Sequence, residues 1–293
     1  MKAKSHRKLS NKIELTQLIK SIVSLHSVYV LGFSDQEIRS ETYLGNSESR
    51  GNKSVTYTLV IISHKTVTKK PIDFMEEIYA KTRQKIKVYP IFYNLSKVLE
   101  KLDFGDNFLT RVITQTPCIY KEDESLQRFN KFELCLHPIY YRNIKEEWEI
   151  RMKRAGYLFS CLDVVEFKED YTSKIAVMHY GMEQVCLALI SVFWELKPNH
   201  YSLSYLLHLC SNFSTLPETI FPTETYGLHR IKYMVCNAHN LLRFKNREEF
   251  SSIDAAKALR RCMDFYHQAK VEGEQHLEFL LKTNDLKVSK LTS

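Results

Sequence analysis

The stretch that decides the fold is VTYTLVIIS, residues 55–63, in which β-branched and other apolar residues dominate and no charge occurs. Such a run is typical of a buried β-strand. Upstream, the run 28–31 predicts another strand, which ends at Gly32. Downstream, Pro71–Gln84 has the apolar spacing of a helix, and IKVYPIFY, residues 86–93, predicts a third strand. Helix and strand therefore alternate, which indicates a small α/β domain.

The flanks of this alternating region are helical or polar. Apolar residues at helical spacing predict a helix over 14–24 and two short helices over 96–103 and 107–116. The segment 35–53 is polar and contains two glycines. It predicts a long loop between the first two strands.

The second half of the chain shows helical periodicity only. Apolar residues recur every three or four positions in two long segments, so each segment has one apolar face that must pack on partners. These residues are Trp148, Met152, Ala155, Phe159 and Leu162, and then Ile175, Met178, Met182, Val185, Leu189 and Val192. Shorter helices are predicted over 201–213 and 224–242. A last helix, to Leu281, begins at the capping-box sequence SSID, residues 251–254. Five helices with short links describe a four-helix bundle with one extra element.

These patterns predict an α+β chain of two domains, since 293 residues are enough for two cores. The N-terminal domain is α/β and the C-terminal domain is an all-α bundle. The predicted boundaries are a basic tail over 1–12, the α/β domain over 13–120, a connector over 121–145, the bundle over 146–285 and a tail over 286–293.

The net charge of +8 is concentrated in the N-terminal half. Residues 1–140 contain 22 Lys and Arg against 15 Asp and Glu, a balance of +7. This excess suits a polyanionic partner such as RNA or a nucleotide phosphate, and it equally suits a solvated surface with a basic tail.

Cysteine usage and hydropathy indicate a cytoplasmic protein. The 7 cysteines are scattered, without CxxC pairs or neighbouring histidine pairs, so we predict free thiols in a reducing compartment and no metal site. The longest apolar stretch, Val185–Trp194, is interrupted only by Ser191 and is about half of the roughly 20 residues that span a membrane. We therefore predict no membrane association and no secretory signal.

The N-terminal pattern resembles the minimal nucleotidyltransferase domain. In that family a Gly followed by Gly or Ser precedes a strand that carries Asp-hydrophobic-Asp-hydrophobic. Gly32 with Ser34, after the first predicted strand, is one candidate for the glycine motif. Gly45 with Ser47, in GNSESRG at 45–51, is the other. The resemblance implies that one of these motifs binds a nucleotide through backbone N–H groups.

The second motif of this resemblance is Thr56-Tyr57-Thr58-Leu59, so threonines stand where the family has aspartates. Nucleotidyl transfer needs carboxylates that hold Mg²⁺ between the triphosphate and the attacking hydroxyl, and a neutral hydroxyl does not supply that charge. The third predicted strand, 86–93, contains no acidic residue either. We therefore expect Thr56 and Thr58 to belong to a nucleotide-binding site that has lost transferase activity, without a metal or another cofactor.

The C-terminal half resembles HEPN domains, helical bundles that are often fused to minimal nucleotidyltransferases. The resemblance covers roughly 148–281. Residues 171–210 are similar to the second helix and following turn of that family, and LRFKN, residues 242–246, is similar to its Arg-Tyr-containing turn. The order of the two domains agrees with the resemblance, which also implies a homodimer formed through the bundle.

Active HEPN ribonucleases use an Arg followed by a His, with four to six residues between them, to bind the scissile phosphate and move a proton while the RNA 2′-OH attacks. The resemblance offers two candidate sets in this chain. One is Arg261 with His267, in the last predicted helix. The other is Arg243 and Arg247 with His239.

His179 and Glu183 lie four positions apart on the second predicted helix of the bundle, where side chains can meet. A base held by a carboxylate is one interpretation, and a histidine of the core or of an interface is the favoured one.

The sequence leaves three functions open. The leading one is a regulatory module that binds a nucleotide or RNA without catalysis. The second is a metal-independent, toxin-like endoribonuclease. The third, a nucleotidyltransferase, is disfavoured by Thr56 and Thr58.

Overall fold

The structure of the chain is a computed structural model that describes residues 2–37, 53–135, 137–166, 168–244 and 249–291. Side chains are described over 12–35, 54–135, 137–166, 168–244 and 249–283. The chain divides into two compact units, Met1–Cys135 and Leu136–Ser293. It is α+β, with a mixed sheet in the first unit and only helices among the described elements of the second.

The first unit combines a four-stranded sheet with four α-helices among its described residues. In chain order its elements are α1 (Lys2–Ile22), β1 (Leu25–Glu37), β2 (Lys53–Ser63), α2 (Pro71–Lys81), β3 (Ile86–Asn94), α3 (Leu95–Asp103), α4 (Asn107–Gln115), β4 (Cys118–Lys121) and a 3-10 turn at Gln127–Lys131. The strand order is β3-β2-β1-β4. β1 is antiparallel to β2 and β4, while β2 and β3 are parallel and α2 forms the crossover that parallel strands require.

The ends of α2 follow from three residues. Pro71 occupies the first turn, where its missing N–H costs no hydrogen bond. Arg83 and Gln84 have positive φ angles of 52° and 64°, which turn the chain back towards β3. The helix predicted to reach Gln84 therefore ends at Lys81, because a left-handed residue cannot continue it.

One face of the sheet carries the core that α1 and α2 share with the strands, and on the opposite face Val60 and Ile62 of β2 are buried as well. α1 and α2 pack on the first of these faces through Leu15, Ile19, Phe74 and Ile78. Alternate strand residues meet them, as expected for a period of two. These are Val28 and Val30 of β1, Val55, Tyr57, Leu59 and Ile61 of β2, and Ile86 and Val88 of β3. The prediction that 55–63 forms a buried strand is confirmed.

The prediction that β1 ends at Gly32 is wrong. Val30 pairs with Leu59 and Gly32 with Thr58, so Leu31 is an extra residue on β1, and the ladder continues to Glu37. A β-bulge of this kind shifts the register by one residue without ending the strand. Gly32 therefore lies within a paired strand and not in a loop. Gly45 and Ser47, the other glycine motif, lie outside the described residues.

Three predicted boundaries differ from the structure. α1 includes residues 2–12, which the charge pattern assigned to a tail. The predicted connector 121–145 contains the 3-10 turn of the first unit, and at Pro138 it enters the first helix of the second unit. The predicted C-terminal tail is helical as far as Leu291.

The second unit contains six described helices. They are α5 (Pro138–Val164), α6 (Tyr171–Trp194), α7 (Leu203–Cys210), α8 (Leu216–Ile220), α9 (Tyr226–Phe244) and α10 (Ser252–Leu291). The short α8 lies in the segment 214–223, for which the periodicity predicted no helix. The start of α10 is confirmed, because Ser251 and Asp254 form the predicted capping box: the Asp254 N–H donates to Ser251 Oγ and the Ser251 N–H to Asp254 Oδ2, both at 3.1 Å.

α6 is the central helix of this unit and packs against α5, α7, α9 and α10. It is also long and apolar enough to cross a membrane by length and composition, which the interrupted apolar run did not suggest. However, 78% of its apolar window is buried inside the unit, as in the core helix of a bundle. Four buried cysteines, Cys186, Cys210, Cys236 and Cys262, lie one each on α6, α7, α9 and α10, and all seven cysteines are free.

Candidate functional site

The sheet face opposite the core brings the predicted nucleotide-binding residues together. In the β1–β2 register Ser34 is opposite Thr56 and Gly32 is opposite Thr58. In the β2–β3 register Thr56 is opposite Lys87 and Thr58 is opposite Tyr89. Because side chains alternate along a strand, these residues share the face that Tyr57 does not occupy. We call the row Ser34–Thr56–Lys87 the outer row and the row Gly32–Thr58–Tyr89 the inner row.

The two rows differ in access. Ser34 and Lys87 are exposed and Thr56 is half-buried, so solutes reach the outer row. Thr58 is 2% exposed, and Gly32 and Tyr89 are half-buried. Direct contact with a bound molecule is therefore open to the hydroxyls of Ser34 and Thr56 and to the Lys87 ammonium. The buried Thr58 side chain packs against its neighbours in the sheet and is not accessible to a bound molecule.

The outer row has no carboxylate. Neither β2 nor β3 contains an acidic residue, and Asp35 of β1 is opposite Val55, on the core side of the sheet. There Asp35 adds to the effect of burial in raising the pKa of Tyr57. Within the described part of the chain, no group of three or more His, Cys, Asp and Glu side chains has a geometry that holds a metal ion.

Lys87 joins this site through the pairing of β3, which the sequence motif did not indicate. Its ammonium lies 5.6 Å from the centre of the Tyr79 ring, on α2. An exposed contact of this kind contributes roughly 0.5–1 kcal/mol. Because α2 packs on the opposite face, the ammonium must leave Tyr79 to reach a phosphate at the outer row, and a charge-assisted hydrogen bond is the stronger contact.

A Ser–His–Asp arrangement also occurs in the first unit, but it is structural. His26 Nε2 lies 3.0 Å from Asp123 Oδ1, and Nδ1 lies 3.1 Å from Ser27 Oγ. Ser27 is 1% exposed, so no substrate reaches its hydroxyl. Hydrogen bonds from Ser125 and then from His26 hold the pKa of the Asp123 carboxyl well below its usual range. The network fastens β1 to the segment after β4.

In the second unit, His179 and His239 form a stacked pair between α6 and α9. Their ring centres are 4.1 Å apart at 28°. His179 Nδ1–H donates to the Val235 carbonyl oxygen at 2.9 Å, so Glu183 is not the partner that orients it. Burial lowers the pKa of His179 to about 4, and burial and Arg243 lower the pKa of His239. His179 is 2% exposed, as the core interpretation requires.

Glu183 is half-buried, and burial raises its pKa against the opposing charge of Arg151. His239 Nδ1 is buried and has no hydrogen-bond partner among the described residues. Arg243 lies one helical turn after His239 on α9 and is exposed. The structure therefore brings His239 and Arg243 to one end of α9, while Arg247 lies outside the described residues.

The other predicted pair, Arg261 and His267, does not form a site. The Arg261 guanidinium donates to the carbonyl oxygen of Ile220, at the end of α8. The exposed His267 ring contacts Tyr266 by its edge, at 5.3 Å. Six positions on a helix turn the side chain by about 240°, so the two groups leave α10 in different directions. Arg261 fixes a helix end and is not free to bind phosphate.

Comparison with known proteins assigns no family. No family model and no curated protein matches the chain. Among solved structures, a nucleotidyltransferase-like protein from Exiguobacterium sibiricum 255-15 is similar at 11% identity, over 87% of this chain and 72% of that chain, with a TM-score of 0.25. Similarity at this level assigns neither a site nor an activity.

Proposed function

We propose that this chain is a non-catalytic module that binds a phosphate-bearing nucleotide on the outer row of its sheet. The observation that carries the proposal is the composition of that row: two hydroxyls and one ammonium on neighbouring strands, Ser34, Thr56 and Lys87. Hydroxyl and ammonium groups donate hydrogen bonds to phosphate oxygens. The strands β2 and β3 offer no carboxylate to a magnesium ion.

The resemblance to minimal nucleotidyltransferases supports this function through two residues that differ from that family's pattern. In this resemblance Thr56 and Thr58 stand at the two positions at which that family has its metal-binding aspartates. Replacing a carboxylate by a hydroxyl removes the metal site and also removes the repulsion that a carboxylate exerts on phosphate. A regulatory role, in which the chain binds a nucleotide and does not consume it, follows from this change.

The test is calorimetric titration of the full chain with ATP in EDTA and in Mg²⁺. We expect binding in both buffers. Lys87→Gln should weaken it by about tenfold, because it removes one charge-assisted hydrogen bond, and Thr56→Val should weaken it by a smaller factor. Lys65→Gln is the matched control: it removes the same charge beyond the far end of β2, about 25–30 Å away by the rise of a strand.

Absolute dependence on Mg²⁺, or transfer of labelled AMP to any acceptor, would show that the site is an active transferase. Equal affinity in the Lys87 and Lys65 variants would place the nucleotide elsewhere.

A second candidate, a metal-independent ribonuclease, is favoured by one observation: His239 and Arg243 lie one turn apart on α9, with His239 stacked on His179. A neutral imidazole can accept the proton of an RNA 2′-OH, and an arginine can bind the phosphate. In EDTA, His239→Ala and Arg243→Gln should each reduce cleavage of single-stranded RNA by about 100-fold. His267→Ala should not change it. Absence of cleavage by the unsubstituted chain would exclude this function.

A further inference from the structure

An open aromatic groove in the second unit lies outside every site described above. It has a volume of about 430 Å³ and is formed by the C-terminal end of α6, the link between α7 and α8, and the middle of α10. Small-molecule sites typically have volumes of roughly 300–1,000 Å³. The groove is therefore large enough for one small planar molecule.

The floor of the groove is a stack of three rings. Phe193 lies 4.6 Å from Phe213 at 10° and 4.2 Å from His276 at 23°. The edge of Trp194 packs on Phe213 at 5.3 Å. Because Phe193 stacks on both Phe213 and His276, little of its ring face is left uncovered. The floor therefore does not offer a ring face to an ammonium group.

Phe279 supplies the aromatic surface that remains. It is 59% exposed, and its ring centre lies 5.7 Å from that of His276 at a tilt of 36°. An exposed ring at the edge of a rigid floor is a surface on which a second planar ring can stack. Stacking of a base on an aromatic side chain contributes roughly 1–3 kcal/mol, which is enough to hold a small molecule with a few hydrogen bonds.

The wall of the groove carries hydrogen-bonding groups in one row. Glu272, Gln275, His276 and Phe279 follow the spacing i, i+3, i+4, i+7, so they share one face of α10. Glu272 is half-buried, and no ion pair joins it to a basic side chain of the described residues. A carboxylate accepts two parallel N–H bonds, and an amide such as that of Gln275 both donates and accepts.

These groups select a particular ring chemistry. A carboxylate favours a planar ring that presents two neighbouring N–H donors on one edge, because both oxygens are then used. Guanine has this edge, with its N1–H and N2 amino group side by side. Adenine, cytosine and uracil each lack the paired donors. An analogue that lacks one donor leaves one carboxylate oxygen of the half-buried Glu272 without its hydrogen bond, so it binds more weakly.

We propose that the aromatic groove binds a guanine base, with Phe279 stacked on the ring and Glu272 accepting hydrogen bonds from its N1–H and N2 amino group. Gln275 contacts the remaining polar edge. The site does not depend on phosphate recognition in the first unit, since all of its groups lie in the second.

The test uses nucleosides, which have no phosphate, and the full chain. Calorimetric titration should show binding of guanosine, with adenosine, cytidine and uridine at least about tenfold weaker. Glu272→Gln and Phe279→Leu should each weaken guanosine binding by about tenfold or more. Glu274→Gln is the matched control, since Glu274 is exposed two positions away, on another side of α10, and pairs with Lys270.

Tryptophan fluorescence gives a second, local readout. Trp194 packs against Phe213 in the floor, and Trp148 is the only other tryptophan. Guanosine should change the emission of the unsubstituted chain, and Glu272→Gln should abolish that change at the same nucleoside concentration. Circular dichroism confirms that each variant is folded. Equal binding of all four nucleosides, unchanged guanosine binding in Glu272→Gln, or no binding of guanosine would overturn the proposal.

Discussion

Replacing Gly273 by alanine should lower the free energy of unfolding of the second unit by about 2–3 kcal/mol. A Cβ atom at Gly273 would lie 2.6 Å from Cζ2 of the Trp148 ring and still closer to Cη2 and Cζ3. Trp148 is 4% exposed, so its ring has little space to move. α5 and α10 must separate, or the indole must leave its rotamer, and either change loses close packing.

Urea denaturation followed by tryptophan fluorescence measures this effect selectively, because both tryptophans lie in the second unit. Gly227→Ala is the control: outside its own stretch of helix, no heavy atom lies within 4 Å of a Cβ at that position, so it should not destabilise the unit and should gain at most about 1 kcal/mol.

A double-mutant cycle tests the cause of the Gly273 effect. Trp148→Phe shortens the ring that the new Cβ would meet, and it costs stability by leaving a cavity. If the collision is the cause, Gly273→Ala in the Trp148→Phe background should be milder by about 1–2 kcal/mol than in the natural chain. Additive effects, or an alanine variant as stable as the natural chain, would contradict the close approach of α5 and α10.

Acidification from about pH 6.5 to pH 4 should destabilise the second unit through His179. Burial lowers the pKa of this histidine from 6.5 to about 4 in the folded chain. Between the two values the unfolded chain binds the proton and the folded chain does not, so stability is full above pH 6.5 and falls as the pH falls. At about 1.4 kcal/mol for each pKa unit, the loss that His179 contributes approaches about 3 kcal/mol.

The variant His179→Asn separates the contribution of His179 to the pH dependence from the contributions of the other titratable groups. Asparagine keeps a donor for the Val235 carbonyl oxygen but does not titrate in this range. The groups around His179 also respond to acid: His239 stacks on it, and burial lowers the pKa of His208, on α7, to about 3. The natural chain should therefore lose about 3 kcal/mol more than His179→Asn over this pH range. The comparison uses each variant's own stability at pH 7.5 as its reference.

The exposed His267 provides the control. His267→Asn should keep the pH dependence of the natural chain, because the His267 ring is exposed and the burial that acts on His179 does not act on it. Equal pH profiles for His179→Asn and the natural chain would mean that His179 reaches solvent and is protonated in the folded state.

Part of the candidate site was predictable from the sequence. Thr56 and Thr58 stand on a strand whose apolar pattern is unambiguous, and the absence of acids from 86–93 is visible without a structure. Lys87 was not assigned to the site, because its place opposite Thr56 depends on the parallel register of β2 and β3. The apolar run 28–31 predicts that β1 ends at Gly32, because a glycine after a short apolar run usually ends a strand, whereas the bulge at Leu31 lets β1 continue.

The sequence by itself determined most of the helices and strands and where α10 begins, but not β4, α8 or the helical residues 2–12. These properties depend on residues a few positions apart, through a period of two or 3.6 and through local caps. Only the tertiary structure decided which side chains meet. The approach of Gly273 to Trp148, the stack of His179 on His239 and the aromatic groove join residues far apart in the chain. Such contacts depend on how helix faces pack together, which local periodicity does not specify.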